Sequence, residues 1–364
     1  MINEVLKIFD QPAYALFQKE KDTVFLAALK ALVQHHRLKC PSYEAILAVQ
    51  GYHSSDSVTD LPFLPVRIFK EHLLESIPET RRFKMMTSSG TTGKSVSQIS
   101  LDRLTAQYQT KAMVMLMQDF LGRHRLPMLI VDHPGVIRDR HNFSARGTGI
   151  LGMSNFGRGH TYALFDETME INLAGVIDFL KKWGNAPILL FGFTFMVWKF
   201  LIQSLEASGD RLSIPNGILV HSGGWKKLQD EAVGSDEFKD RLAHVTGIRR
   251  VHNFYGMVEQ TGSIYVECEY GRLHVSTFSE IIIRRPHDWS EAEMGEEGLI
   301  QTLSCLPYSY PGHSLLTEDL GCLTGQDDCP CGRQGRTFSV SGRLPKSEVR
   351  GCSDTFDEHA RVLR

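Results

Sequence analysis

Residues 87–98 read TSSGTTGKSVSQ, a run of hydroxyls and glycines around a single lysine. The Walker phosphate loop needs a glycine, four residues, then glycine, lysine and serine or threonine. Counted back from Gly93-Lys94-Ser95, the first glycine should stand at position 88, where the chain has Ser88. The flanks suggest a different structure: Phe83, Lys84 and Met85 precede the run, and Val96, Ile99 and Leu101 follow it. That spacing predicts a hairpin between two short strands. Its amides, hydroxyls and ammonium would close over an anion. A Gly-rich surface turn with a solvated lysine is the alternative, and the rest of the chain has to decide.

The chain has 364 residues, 42% of them hydrophobic, enough for the core of a soluble globular protein with one large domain or two. Forty basic residues face 42 acidic ones. Such a balance creates no field that draws the protein to nucleic acid or to an anionic membrane. The opening MINEVLKIFDQPAYALF has no basic flank ahead of a long apolar stretch, and nowhere do 18 apolar residues follow one another. A cytoplasmic protein is expected. Seven cysteines, an odd number clustered late in the chain, point to metal or thiol chemistry rather than a secreted disulfide framework.

The pattern changes three times. Residues 1–84 are rich in Leu, Ala, Lys and Glu at helical spacing, as in FLAALKALVQHH, and read as a helical N-terminal layer. Over 85–262, short apolar runs (PMLIVDHP, GHTYALF, PILLFGF, NGILVHSGG) alternate with helical segments, the signature of an α/β core. Over 263–341, strands separated by tight turns (SIYVECEYGRLHVST, SEIIIRR, GLIQTLS) predict a β-rich subdomain. Residues 342–364 form a polar, hinge-like tail.

Open α/β sheets bind ligands past the carboxyl ends of their strands, and three segments stand at such places. GILVHSGGWKKL puts Gly223 and Gly224 after a strand, where a flat base can approach the bare backbone. VHNFYGMVEQTG places Tyr255 and Glu259 around Gly256, an aromatic to stack on a base and a carboxylate to hold Mg2+ beside phosphates. LLTEDLG offers Asp319 to ribose hydroxyls. Singly, each has a structural reading: a strand-ending turn, a core tyrosine, an Asx turn.

Together and in this order, SSGTTGK, YGMVEQTG, TEDLG and SGRLPKSEVRG resemble the phosphate loop, the Tyr-Gly-x-x-Glu segment, the ribose aspartate and the hinge of the adenylate-forming superfamily. Coverage runs from about residue 60 to residue 352. FLPVRIFK, CPCGR and the ending EVRGC look most like acyl-protein synthetases of the LuxE type, with phenylacetate-CoA ligases more distant. The resemblance implies an α/β fold of the adenylate-forming large-domain type. Members usually continue past the hinge into a small domain bearing a lysine. Here the last lysine is Lys346 and the sequence ends at Arg364, so that domain is expected to be lacking.

The implied chemistry is attack of a carboxylic acid, fatty or otherwise apolar, on the α-phosphate of ATP, which releases pyrophosphate and leaves an acyl-adenylate. By resemblance, Ser88, Ser89, Gly90, Thr91, Thr92 and Gly93, with Lys94 as a catalytic cation, would hold the β- and γ-phosphates, and Glu259 would hold Mg2+. Gly223, Gly224, Tyr255 and Gly256 would form the adenine slot, and Asp319 and Arg343 would contact the ribose. In acyl-protein synthetases a cysteine near the C-terminus takes the acyl group as a thioester. Cys352, in RGCSDTF, stands where that residue is expected. Arg350 and Lys346 favour its thiolate and Asp354 opposes it. The final acceptor would be a reductase cysteine, an acyl carrier protein or CoA. The rival readings are a direct acyl-CoA or acyl-carrier ligase without a Cys352 intermediate, and a non-catalytic escort of an acyl carrier protein.

Cys268-Glu-Tyr-Gly-Arg-Leu-His274 sets two ligand types either side of a turn, and Cys329-Pro-Cys331 follows later. Three thiolates and an imidazole make a tetrahedral set for structural zinc. Phenylacetate-CoA ligases can carry such a cluster. Cys322 is a substitute ligand, and four unconnected residues or a redox pair are the alternatives. FGFTFMVWKFLIQSL offers Phe193, Phe195, Met196 and Trp198 either to an acyl channel or to the core. His133, Arg158 and His160 lie in strand-end segments without an assigned role, and no Gly-x-Ser-x-Gly elbow supports hydrolase chemistry.

Overall fold

A computed structural model of the chain describes residues 7–88, 96–138, 145–225 and 230–344. The chain divides into two compact units. The first takes in residues up to 88, 93–120 and 256–348, and the second is built mainly from 121–255.

The first unit begins with α1 (Gln18–Lys39), which buries Phe25, Ala28, Leu29, Leu32, Val33 and His36 along one face. Those residues recur at the three- and four-residue spacing of a helix laid on a core. Helix α2 (Pro41–Val49) starts on a proline, whose fixed φ suits the first turn. After the two-residue strand β1 (Leu64–Pro65) and the single turn α3 (Ile68–Glu71) comes an antiparallel pair, β2 (Lys84–Thr87) and β3 (Gln98–Leu101). The strands on either side of the run thus pair as the flanking alternation predicts. Helix α4 (Arg103–Leu121) follows, started by Asp102, whose carboxylate accepts a hydrogen bond from Thr105 N at 2.8 Å.

The second unit is a parallel sheet. Its strands are β4 (Leu126–Ile130), β5 (Gly157–Tyr162), β6 (Ile188–Phe193), β7 (Gly217–Ser222) and β8 (Arg250–Tyr255), paired in the order β5-β4-β6-β7-β8. Strand β6 is buried at every position, which is why it reads ILLFGF without alternation. Helices α5 (Ala145–Ser154), α6 (Leu173–Trp183), α7 (194–208) and α8 (Ser235–Thr246) connect the strands. Asn172 caps α6 by accepting from Gly175 N, and Lys181 and Lys182 sit in its last turn, where cations suit the helix dipole. Within α7, Val197–Ile202 winds as a π-turn, and Val197, Trp198, Leu201 and Ile202 pack into the core beneath β6.

From residue 256 the chain returns to the first unit with β9 (Tyr265–Glu267), β10 (Leu273–His274), β11 (Ser279–Arg284), β12 (Gly298–Ser304), β13 (Ser314–Gln326) and β14 (Arg336–Arg343). They pair antiparallel in the order β11-β12-β13-β14-β10-β9, and β1 adds in parallel beside β13. No described helix is long and apolar enough to cross a membrane.

Candidate functional site

In the first unit the hairpin's mouth is fixed by its own serines. Ser88 N donates to Ser97 O at 3.1 Å, and Ser97 N donates to Ser88 Oγ at 2.9 Å. Ser97 is fully buried, and its hydroxyl lies by the Glu259 carboxylate without hydrogen-bond alignment. Burial raises the pKa of Glu259, and Ser97, Lys70 and Arg343 partly offset the rise. The segment carrying Glu259 is clamped. Tyr310 OH donates to the Glu259 carbonyl at 2.7 Å, and Gln260 Nε2 donates to the carbonyls of Thr302 and Gly312 at 3.0 and 2.9 Å. The structure thus brings the end of the Ser/Thr/Gly run and the Glu259 segment together. Asp319 and Arg343 face each other across the β13–β14 ladder, Nε to Oδ1 at 2.9 Å. Ser89, Gly90, Thr91, Thr92, Gly93, Lys94, Lys346 and Cys352 lie outside the described residues.

In the second unit, Gly223 follows β7 with φ +87°, and a Cβ on it would meet Phe193 Cδ1 at 3.1 Å. A side chain there would be both strained and crowded. A Cβ on Gly224 would meet nothing within 4 Å, which leaves open space over the backbone. Tyr255 ends the neighbouring strand β8. Phe193, Phe195, Met196 and Trp198 are all buried, Trp198 inside the core. His160 Nε2 bonds to Ser154 O and Arg158 stacks on Trp183, both structural uses.

The strand-end segment after β4 holds more than the sequence reading found. His133 Nδ1 and Asp166 Oδ1 are 2.5 Å apart, Gly135 N donates to the same oxygen at 2.9 Å, and Arg138 pairs with Oδ2. Gly135 cannot be replaced cheaply, since a Cβ would fall 2.0 Å from Asp166 Oδ1. Behind His133 lie Asp132 and Arg146, both buried, with Arg146 Nε 3.0 Å from Asp132 Oδ2. The one available signal was VDHPG, with an acid beside the histidine at a strand end. Nothing local marks Asp166 or Arg146.

Cys268, His274, Cys329 and Cys331 converge in the first unit, with one ligand atom from each lying within 4.8 Å of all the others. Cys268 Sγ and Cys329 Sγ are 3.7 Å apart, and Cys331 Sγ is 3.3 Å from His274 Nε2. Two sulfurs each about 2.3 Å from one tetrahedral ion stand about 3.8 Å apart, whereas a disulfide closes to about 2.0 Å. All four cysteine and histidine side chains therefore fit a single metal, and His274 Nδ1 is buried with no hydrogen-bond partner among the described residues. Burial, then Arg333, pushes the His274 pKa down to about 4, so the ring is neutral at neutral pH and one nitrogen lone pair is free for a metal. Burial pushes Cys329 up to about 12, so metal binding would displace a proton. Tyr270 N donates to Cys268 Sγ at 3.4 Å. Arg333, next to the Cys329–Cys331 loop, lies over Phe120 and reaches Asp119 and Glu269. Cys322 is not part of the cluster; its Sγ lies 3.3 Å from Ser339 Oγ.

A family model described as acyl-protein synthetase, LuxE, matches residues 2–360. A long-chain-fatty-acid–luciferin-component ligase of Vibrio harveyi is 22% identical over 307 residues, spanning 82% of this chain and 78% of that protein. Among solved structures, 2-hydroxyisobutyryl-CoA ligase in the postadenylation state with its acyl-AMP superposes with a TM-score of 0.70 at 16% identity, over 91% of this chain and 69% of that one. The same ligase in an open conformation with acyl-AMP and CoA gives a TM-score of 0.69 at 16% identity, over 93% and 78%. At that identity the likeness establishes the α/β fold.

Proposed function

Given that this chain belongs to the acyl-protein synthetase (LuxE) family, we propose that it activates a carboxylic acid as its acyl-adenylate with ATP and passes the acyl group to a thiol. One observation carries this beyond the family. The Ser/Thr/Gly hairpin and the buried Glu259, far apart in sequence, meet at Ser97. Serine hydroxyls and amides at the hairpin mouth beside a fixed carboxylate suit polyphosphate with a divalent cation.

In the first half-reaction a carboxylate oxygen attacks the α-phosphorus, the bond to the β-phosphate oxygen breaks, and pyrophosphate leaves. Ser88, Ser89, Thr91, Thr92 and Lys94 hold the phosphates, and Glu259 binds Mg2+. Gly223, Gly224 and Tyr255 contact the base, and Asp319 and Arg343 the ribose. In the second, a thiol sulfur attacks the acyl carbon, AMP leaves with the bridging oxygen, and the thiol proton passes to solvent or a base. Cys352 is the first acceptor, and a partner protein or CoA the second. A long-chain fatty acid is the substrate class, in line with the Vibrio harveyi relative. The cysteine and histidine cluster holds zinc, which would cross-link the β9–β10 turn to the β13–β14 connection.

Intact-protein mass after incubation with Mg-ATP and a panel of carboxylic acids tests the sequence of steps. The expected result is a hydroxylamine-labile gain of one acyl group, absent in Cys352→Ser. Acyl-adenylate released without an adduct would instead identify a direct ligase, and no adenylate with any acid would defeat the proposal.

A further inference from the structure

Arg146 is 4% exposed, and its partners among the described residues are few for a buried guanidinium. Its Nε lies 3.0 Å from Asp132 Oδ2, but the two are misaligned and neither atom makes a hydrogen bond. Its other contacts among the described residues are His133 Nε2 at 3.3 Å from Nη2 and the Met196 thioether at 3.8 Å from Nη1. Arginine only donates, so His133 Nε2 must accept, and the proton of the ring sits on Nδ1, donated to Asp166. Five N–H donors thus meet one nitrogen lone pair, one weak sulfur acceptor and an unaligned carboxylate. A buried charge left this poorly solvated is costly unless an anionic oxygen completes it.

The surroundings indicate which anion. Arg146 stands one turn before Gly149 on α5, and a Cβ on Gly149 would meet Phe193 Cζ at 3.0 Å. On its other side is Met196, which opens the apolar α7 run. The Met196 thioether touches the guanidinium and Phe193 packs against the next turn of α5, an apolar setting that suits a carboxylate head on an apolar chain better than a polyphosphate. We propose that Arg146 binds the carboxylate of the acid substrate, with Asp132 and the Asp166–His133 pair as positioning residues that hold its planar fork in place. The inference rests on the acid-activating reading above. Carboxylate and phosphate share the recognition chemistry, and the test separates them.

The experiment measures equilibrium binding of dodecanoate, dodecanol and AMP to the full chain, wild type beside Arg146→Met and Arg146→Lys. Wild type is expected to prefer dodecanoate over dodecanol. Arg146→Met should weaken dodecanoate about 100-fold and abolish that preference, with dodecanol and AMP unchanged. Arg146→Lys keeps the charge but loses the fork, and should weaken dodecanoate about tenfold. A preference that survives in Arg146→Met overturns the proposal, as does a loss confined to AMP, which would assign the guanidinium to a phosphate. If Arg146→Met does not fold, an unchanged dodecanoate affinity in Arg146→Lys overturns it alone. ATP/pyrophosphate exchange by wild type runs alongside. Absent exchange with an intact, Arg146-dependent carboxylate preference would remove the activation reading and leave the anchor; exchange with an Arg146-independent preference would do the reverse.

Discussion

Lys21 Nζ and Glu280 Oε2 stand 2.8 Å apart, with 2% and 1% of their side chains exposed, and so join helix α1 to strand β11 through a sealed ion pair. Gln18 Nε2 donates to the same carboxylate at 2.6 Å, and Ile281 N to its other oxygen at 2.9 Å. Burial alone would raise the Glu280 pKa; the charges of Lys21 and Arg336 and the hydrogen bond from Gln18 outweigh it and hold the group ionised. Removing one partner strands the other. Lys21→Met should cost about 3–5 kcal/mol in denaturant unfolding, and the double variant Lys21→Met/Glu280→Leu should recover much of the loss. Losses that simply add would show that the pair does not act as a unit.

Metal analysis of the purified chain should find one zinc per molecule, lost in Cys329→Ser. Loss of the ion should lower unfolding free energy on the order of 4 kcal/mol, read as a fall in thermal midpoint on chelation. A Cys329→Ser protein that melts as the wild type does would exclude a structural ion.

His36 and His313 stack in the first unit with ring centroids 5.0 Å apart. Burial, then the neighbouring rings, drives His36 well below its ordinary pKa, and burial takes His313 down to about 3. The unfolded chain binds these protons first as pH falls. The contribution is therefore complete above about pH 6.5 and is lost toward the folded values, at about 1.4 kcal/mol per pH unit for each ring. Unfolding followed from pH 7 to pH 5 should show this acid-side slope, and His313→Phe should remove its share. A slope unchanged in that variant would count against the assignment.

Glu259→Gln keeps the volume and removes the charge. ATP/pyrophosphate exchange should fall on the order of 10²-fold, with a raised Mg2+ requirement and an unchanged melting curve. Exchange at the wild-type rate would take the metal role away from this carboxylate.

The sequence revealed what repeats locally. Val96, Ile99 and Leu101 disclosed the hairpin, the unbroken ILLFGF disclosed a strand buried on both faces, and Cys268, His274, Cys329 and Cys331 disclosed their own convergence because cysteine and histidine either side of a tight turn have few structural uses. The pairing of His133 with Asp166, the burial of Arg146 and the stacking of His36 on His313 were not legible. Each depends on contacts made by residues far apart in the chain, whose neighbours in sequence carry no period or signature. The π-turn of α7 was hidden for another reason: FMVWKFLI reads the same whether its bonded groups stand four or five residues apart.

The cysteine and histidine cluster draws its ligands from two places 55 residues apart, Cys268 and His274 on one side and Cys329 and Cys331 on the other. Strands β11, β12 and β13 all lie on the intervening stretch. Closing so long a loop has an entropic cost that only the assembled ladder can offset. On a nascent chain the fourth ligand emerges after those strands, so tight ion capture is a late step in assembly. Metal occupancy would thus report, molecule by molecule, whether the chain has passed strands β11, β12 and β13 and returned to the β9–β10 turn.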